Sequence, residues 1–385
     1  MHTLSLQPED ATISDLELGL DSRLGTVLSA PKSIAVDTGR YELAGEHARG
    51  GLGRILHGRD VLLDRPVAVK QLLREGGEAE ARFIREALIT ARLQHPSIVP
   101  VHDLGRTPAG KPFYTMRMIP GRSLAEIIRQ TRTLEQRLAL LPHVIAVAHA
   151  MAYAHGRRVI HRDLKPSNIL IGPFGETVVV DWGLAADLDE ANRGSRSVST
   201  AYEIAAAGLT VSGTVLGTPE YMPAEQAEGK SVDERADIYA IGAILYHLLA
   251  AAPPYRGRNS REVLANLVKR EPIPIEILES GIPRELATIV RTAMARDPRD
   301  RYFTAKELAD DLERFRTGQR VSTHPYSRGS LIWKRIIAWL RRGHPSRCSC
   351  GRLKGLVQEK ETNGSLNGLN GSFPSSGTSQ RGDNR

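Results

Sequence analysis

HRDLKPSN, residues 161–168, is the stretch on which the reading of this 385-residue chain turns. It lies between an apolar helical run and a short apolar strand, NILI, so it reads as a loop. Within it Asp163 and Asn168 stand five residues apart, and Lys165 comes two after the aspartate. A little further on, VVVDWGLA, residues 178–185, sets Asp181 at the end of a β-branched strand and just before Gly183. Two carboxylates and an amide gathered in this way can orient a hydroxyl and hold a hard, oxygen-seeking cation such as Mg²⁺. A lysine beside them can neutralise charge on a moving phosphoryl group.

Upstream, VAVK places Lys70 on a strand, FIREA places Glu86 on a helix, and ARGGLGRI supplies a glycine-rich turn before both. In this order the motifs resemble a protein kinase of the Ser/Thr type found in bacteria, over roughly residues 41–316. The resemblance implies that Asp163 accepts the substrate hydroxyl proton, with Lys165 beside it as a further catalytic residue. It implies that Asn168 and Asp181 hold the metal, and that Lys70, paired with Glu86, contacts the α- and β-phosphates. Ala48, Gly50, Gly51 and Gly53 would lie over the phosphates, with Ala48 standing where the family has its first glycine. Ile55, Ala68, Met116 and Met118 would complete the nucleotide pocket, Met116 as gatekeeper and Arg117–Ile119 as the hinge. ATP with Mg²⁺, or Mn²⁺ in its place, is the implied cofactor set. Lys165 is the Ser/Thr form of the loop, so proteins with Ser/Thr acceptors are the implied substrates.

GTPEYMPAEQ resembles the end of an activation segment, with Glu225 matched to a distant Arg301 and Asp237 bracing the catalytic loop. Thr210, Ser212, Thr214 and Thr218 are candidate phosphoacceptors, Arg162 is a candidate partner for the added phosphate, and a second kinase domain is the implied partner for trans-autophosphorylation. Three departures, Ala48, Trp182 and the exchanged order Pro223–Ala224, fall at supporting positions. A scaffold that binds nucleotide without turnover and a small-molecule phosphotransferase of similar fold are the competing readings. The six motif side chains oppose the first. Lys165, Arg162 and the GTPEY segment oppose the second.

The expected fold class is α+β and two-lobed, with a β-rich small lobe over 41–118 and a helical large lobe over 121–320. Strands are predicted at Tyr41–Ala48, Ile55–Asp60, Pro66–Leu72, Ile98–Leu104 and Pro112–Met118, and a helix carries Phe83, Ala87, Leu88 and Ala91 on one stripe. Further helices are predicted at Ser123–Gln130, Leu134–His155, Asp233–Ala251, Arg261–Arg270, Arg284–Ala295 and Thr304–Arg314. With 41% hydrophobic but only 5% aromatic residues, the core must rest on Leu, Ile, Val and Ala.

Residues 1–40 read as a loose extension without a secretory signal, and 346–385 as a disordered Gly/Ser/Asn-rich tail. The net charge of +8 is concentrated late: from Arg314 to Lys354 there is no Asp or Glu. Within 321–345, SLIWKRIIAWLRR reads as a basic amphipathic helix, so 329–345 could touch an anionic membrane; no motif for specific nucleic acid is present. The CSC pair Cys348 and Cys350 has poor spacing for a disulfide or zinc site and reads as free thiols of a cytoplasmic protein.

Overall fold

The computed structural model describes Ile34 and residues 39–50, 53–73, 77–188 and 217–324. Gly51, the candidate phosphoacceptors at 210, 212 and 214, the basic run 329–345 and both cysteines lie outside these residues.

The small lobe's sheet consists of β1 (Tyr41–Arg49), β2 (Gly53–Asp60), β3 (Arg65–Leu72), β4 (Val101–Arg106) and β5 (Pro112–Arg117), in the antiparallel order β1-β2-β3-β5-β4, with the central β3 and β5 the most buried. Helix α1 (Gly77–Ala91) buries Phe83, Ile84, Ala87 and Ile89. Of the predicted stripe Phe83 and Ala87 are buried, whereas Leu88 is half-buried and Ala91 exposed, because the packed face turns towards Ile84 and Ile89. Ala68, Leu72, Phe83, Ala87, Tyr114 and Met116 form one packed cluster between α1 and the sheet. The fourth strand starts later than the sequence pattern suggests. Ile98 instead makes a single parallel bridge to Val179, and backbone bonds Val99 N to Val179 O and Val179 N to Ser97 O join the two lobes at 3.1 and 2.8 Å.

In the large lobe, α2 (Leu124–Gln130) begins with a reciprocal cap: Ser123 Oγ accepts from Glu126 N, and Glu126 Oε2 accepts from Ser123 N. The predicted helix 134–155 is two helices, α3 (Leu134–Leu138) and α4 (Leu141–Gly156). Pro142, which has no N–H to donate, starts the second of them. The segment Leu134–Gly156 is long and apolar enough to cross a membrane, but α4 turns Val144, Val147, Ala148, Met151 and Ala154 into the protein core.

The centre of the lobe is α6 (Arg235–Ala250), which follows the short α5 (Ala224–Ala227) and is buried almost all round. A Cβ at Gly242 would come within 2.8 Å of Ala293 Cβ and Met294 Cγ, so glycine permits the close approach of α6 to α9 (Arg284–Ala293). Between them come α7 (Ser260–Lys269), capped by Asn259, and the short α8 (Ile275–Leu278); α10 (Ala305–Arg316), capped by Thr304, closes against α4. Short pairs β6 (Arg122–Ser123), β8 (Ile169–Ile171) and β9 (Thr177–Val179), and β7 (Val159–Ile160) with β10 (Ala186–Asp187), hold the two key loops in place between them.

Candidate active site

The loop 161–168 is fixed from below by a buried carboxylate. Asp237, on the first turn of α6 and fully inaccessible, accepts from His161 N at 2.8 Å and Arg162 N at 2.9 Å, and meets His155 Nε2 at 2.9 Å. Burial alone would raise the Asp237 pKa, but His155, His161 and the backbone donor outweigh it and hold it below the usual range. The ionised form therefore persists and pins the loop.

Above that anchor, Asp163 Oδ1 accepts from Thr218 N at 3.1 Å, and Asp163 Oδ2 from Lys165 Nζ at 2.7 Å. The Lys165 ammonium also reaches Thr218 Oγ1 at 2.7 Å. Asn168 sits on a 3₁₀ turn (Pro166–Asn168) and donates from Nδ2 to Asp163 O at 3.0 Å, which leaves its side-chain oxygen available as an acceptor. Asp181 adopts a left-handed backbone, φ 64°, uncommon for a residue with a Cβ. Its carboxylate takes Lys70 Nζ at 3.3 Å, while the same ammonium makes a short contact with Glu86 Oε1. Desolvation would depress Lys70, yet the carboxylates of Glu86 and Asp181 raise its pKa above the ordinary value. Asp181 is likewise desolvated, but Lys70, His161 and Lys165 keep its pKa low. Lys70 and Asp181 are thus held in their charged forms.

Lys70, Glu86, Asp163, Asn168 and Asp181 face one cleft of about 440 Å³ between the lobes. Of the residues predicted to meet nucleotide, Ala48, Gly50, Gly53, Ile55, Lys70, Met116, Asn168 and Asp181 line it, as do Glu86 and Asp163. Ala68 and Met118 are not among its lining residues, but both pack in the same apolar cluster as the lining residues Val99, Tyr114 and Met116. Sequence motifs miss the apolar wall formed by Val99, Leu170 and Val180, because ordinary aliphatic residues on strands carry no local signature. A Cβ at Gly53 would lie 2.7 Å from Gln71 O, so this glycine permits the close approach of β2 to its antiparallel neighbour β3. A second cavity, about 470 Å³, lies in the large lobe between α6, α8 and α9. Three tyrosines line it, but Tyr246 and Tyr255 donate to backbone oxygens and Tyr239 donates to Tyr255, so their hydroxyl protons are already engaged.

Trp182 is 1% exposed and packs in the large-lobe core with Ile89 from α1 and with Leu93, its ring 4.6 Å from that of His161. Its indole N–H has no hydrogen-bond partner among the described residues, the kind of loss that costs about 1–3 kcal/mol. Phe at this position would avoid that term but fill less volume.

The segment end is anchored separately. Arg301, from the loop after α9, grips Glu225 on α5 through two bonds of 2.7 and 3.0 Å. Nearby, Tyr221 OH and His247 Nδ1 lie 2.6 Å apart. Burial, with Arg256 adding to it, lowers the His247 pKa from 6.5 to about 4. The unfolded chain then binds the extra proton first, so stability falls as pH drops from about 6.5 towards 4. By pH 5 the loss is roughly 2 kcal/mol. Urea unfolding at pH 7 and pH 5 should show this loss in the wild type and a smaller one in His247→Gln; equal losses would exclude His247 as the source.

The protein kinase domain family matches residues 41–312. A probable serine/threonine-protein kinase of Corynebacterium efficiens is 37% identical over 284 residues, covering 71% of this chain and 41% of the relative. Serine/threonine-protein kinase PknB of Mycobacterium tuberculosis is 36% identical over 287 residues, covering 73% and 43%. This chain therefore spans less than half the length of these curated relatives. The Mycobacterium tuberculosis PknI kinase domain shares the fold, with a TM-score of 0.53 at 24% identity over 73% of this chain and 98% of that one. With that family model matching residues 41–312, most of its length, the chain belongs to the protein kinase family.

Proposed function

We propose that this chain transfers the γ-phosphoryl group of Mg-ATP to Ser/Thr hydroxyls of protein substrates. The observation that carries the reading is the placement of Asp163, held between Thr218 N and Lys165 Nζ, in the same cleft as the Lys70–Glu86–Asp181 cluster. Asp163 takes the proton of the acceptor hydroxyl as its oxygen bonds to phosphorus and the bond to the leaving ADP oxygen breaks. Lys165 balances negative charge beside it, and Lys70, positioned by Glu86, binds the α- and β-phosphates. Catalysis rests on positioning and fixed charge.

The residues fit a divalent cation of the Mg²⁺ kind. Among the described residues no group of three or more His, Cys, Asp or Glu forms a self-sufficient metal cage. Asp181 with the Asn168 oxygen instead supplies the few oxygen donors that suit Mg²⁺ shared with phosphate oxygens. When bound, the ion neutralises phosphate charge. A chain released from catalysis would be expected to lose at least one of Lys70, Glu86, Asp163, Lys165, Asn168 and Asp181, and all are present, which supports turnover over the scaffold reading. Transfer of label from γ-labelled ATP, with identification of the labelled amino acid, tests the assignment. Label on tyrosine alone would contradict it.

The same reading supports autophosphorylation in trans between two kinase domains, on the activation segment, in a cytoplasmic protein. The cationic, tryptophan-bearing run at 329–345 supports peripheral contact with anionic lipid. Flotation with phosphatidylserine vesicles should exceed flotation with phosphatidylcholine vesicles and fall when 329–345 is deleted; equal flotation of all three would remove the lipid contact.

A further inference from the structure

One side chain outside the kinase motifs touches both members of the Lys70–Glu86 pair. Tyr114, on β5, stands directly opposite Lys70 on β3 in the sheet register and is 3% exposed. Its hydroxyl donates to Glu86 Oε1 at 2.7 Å, the same oxygen that receives Lys70. Its ring centroid lies 5.8 Å from Lys70 Nζ and 5.2 Å from the ring of Phe83, one turn before Glu86 on α1. The other carboxylate oxygen, Oε2, faces Gly183, where a Cβ would lie only 3.3 Å away. Glu86 is therefore enclosed by its own helix, β5 and the Asp-Trp-Gly turn, and it is almost wholly out of water.

That enclosure raises a chemical difficulty. Lys70 is shared between Glu86 and Asp181, and on the proposed function it must also bind nucleotide phosphates. Each bond it gives to phosphate weakens what it gives to Glu86. A buried carboxylate that loses its donor is strongly destabilised and relaxes by moving towards water, carrying α1 with it. Tyr114 supplies a donor that does not leave. Burial, reinforced by the Glu86 charge, pushes its hydroxyl pKa well above the ordinary value, so the proton stays available.

We propose that Tyr114 is a positioning residue of the nucleotide site: its hydroxyl keeps Glu86 and helix α1 in place while Lys70 turns to the phosphates. The role is specific to a tyrosine two residues before Met116, and it acts through Glu86 without touching the reacting atoms.

The test is a double-mutant cycle read by binding of a fluorescent ADP analogue with Mg²⁺ and by transfer kinetics. Tyr114→Phe keeps the ring contact with Phe83 and removes only the hydroxyl. It should weaken nucleotide binding and raise the KM for ATP by about tenfold, the scale of one hydrogen bond to a charged group. The KM for a peptide acceptor should stay unchanged. In a Glu86→Gln background the same substitution should have little further effect on nucleotide affinity. Unchanged nucleotide affinity in Tyr114→Phe, or an equal loss in both backgrounds, would overturn the proposal. A lower Tm with wild-type affinity would likewise assign the hydroxyl to folding alone. Because affinity is measured separately from transfer, a wild type that binds nucleotide without transferring phosphate contradicts the proposed function and not the role of Tyr114.

Discussion

Asp163→Asn lowers the rate of phosphoryl transfer by between about a hundredfold and ten-thousandfold, the range spanned by a positioned general base. The substitution is close to isosteric, and an asparagine oxygen can still accept from Thr218 N as Asp163 Oδ1 does at 3.1 Å. What is lost is the negative oxygen at 2.7 Å from Lys165 Nζ and the capacity to take a proton. Lys70, Glu86 and Asp181 are untouched, so affinity for nucleotide should stay within about threefold, or roughly 0.7 kcal/mol. Single-turnover rates and titration with a fluorescent ADP analogue separate the two quantities. A variant that turns over at a rate close to wild type would remove Asp163 from the reaction.

Arg301→Ala destabilises the protein by about 3–5 kcal/mol, as expected when one partner of a buried pair is removed. The Arg301 side chain is fully inaccessible and that of Glu225 is 13% exposed. Besides its two bonds to Glu225, the guanidinium donates to Ala295 O at 2.8 Å and Arg235 O at 3.0 Å, and it stacks 4.9 Å from the ring centre of Tyr239. Removal leaves a mostly buried carboxylate and several carbonyls without a donor. Arg301→Lys keeps the charge but not the planar fork and should lie between. Function is linked to this anchor, because Glu225 on α5 fixes the end of the segment that carries Thr218 to Asp163 and Lys165. Chemical unfolding curves measure the effect; a change below about 1 kcal/mol would mean that the pair is dispensable.

Much of this was legible in the sequence because the chemistry is written locally. The loop 161–168 holds Asp163, Lys165 and Asn168 within eight residues, and each motif names its own strand, helix or turn. Long-range pairs such as Lys70 with Glu86 and Glu225 with Arg301 were legible only through the family resemblance, and the structure brings both together. Local pattern failed where tertiary packing decides. Ile98 and Val99 have β-branched side chains, yet they link the lobes through Val179 instead of extending β4. The apolar periodicity of 134–155 runs straight across the break between α3 and α4. Tyr114 looked like one more aromatic strand residue; only the register that sets it opposite Lys70, and the packing of α1 behind it, give its hydroxyl a partner.

Transfer from γ-labelled ATP in the presence of Mg²⁺, comparing wild type with Asp163→Asn and mapping the labelled residues, tests the central claim most directly. Label is expected on serine or threonine in the wild type, including the segment between Asp181 and Glu225, and at least a hundredfold less in the variant, about 2.7 kcal/mol of barrier. Nucleotide binding by both proteins with no transfer by either would contradict it.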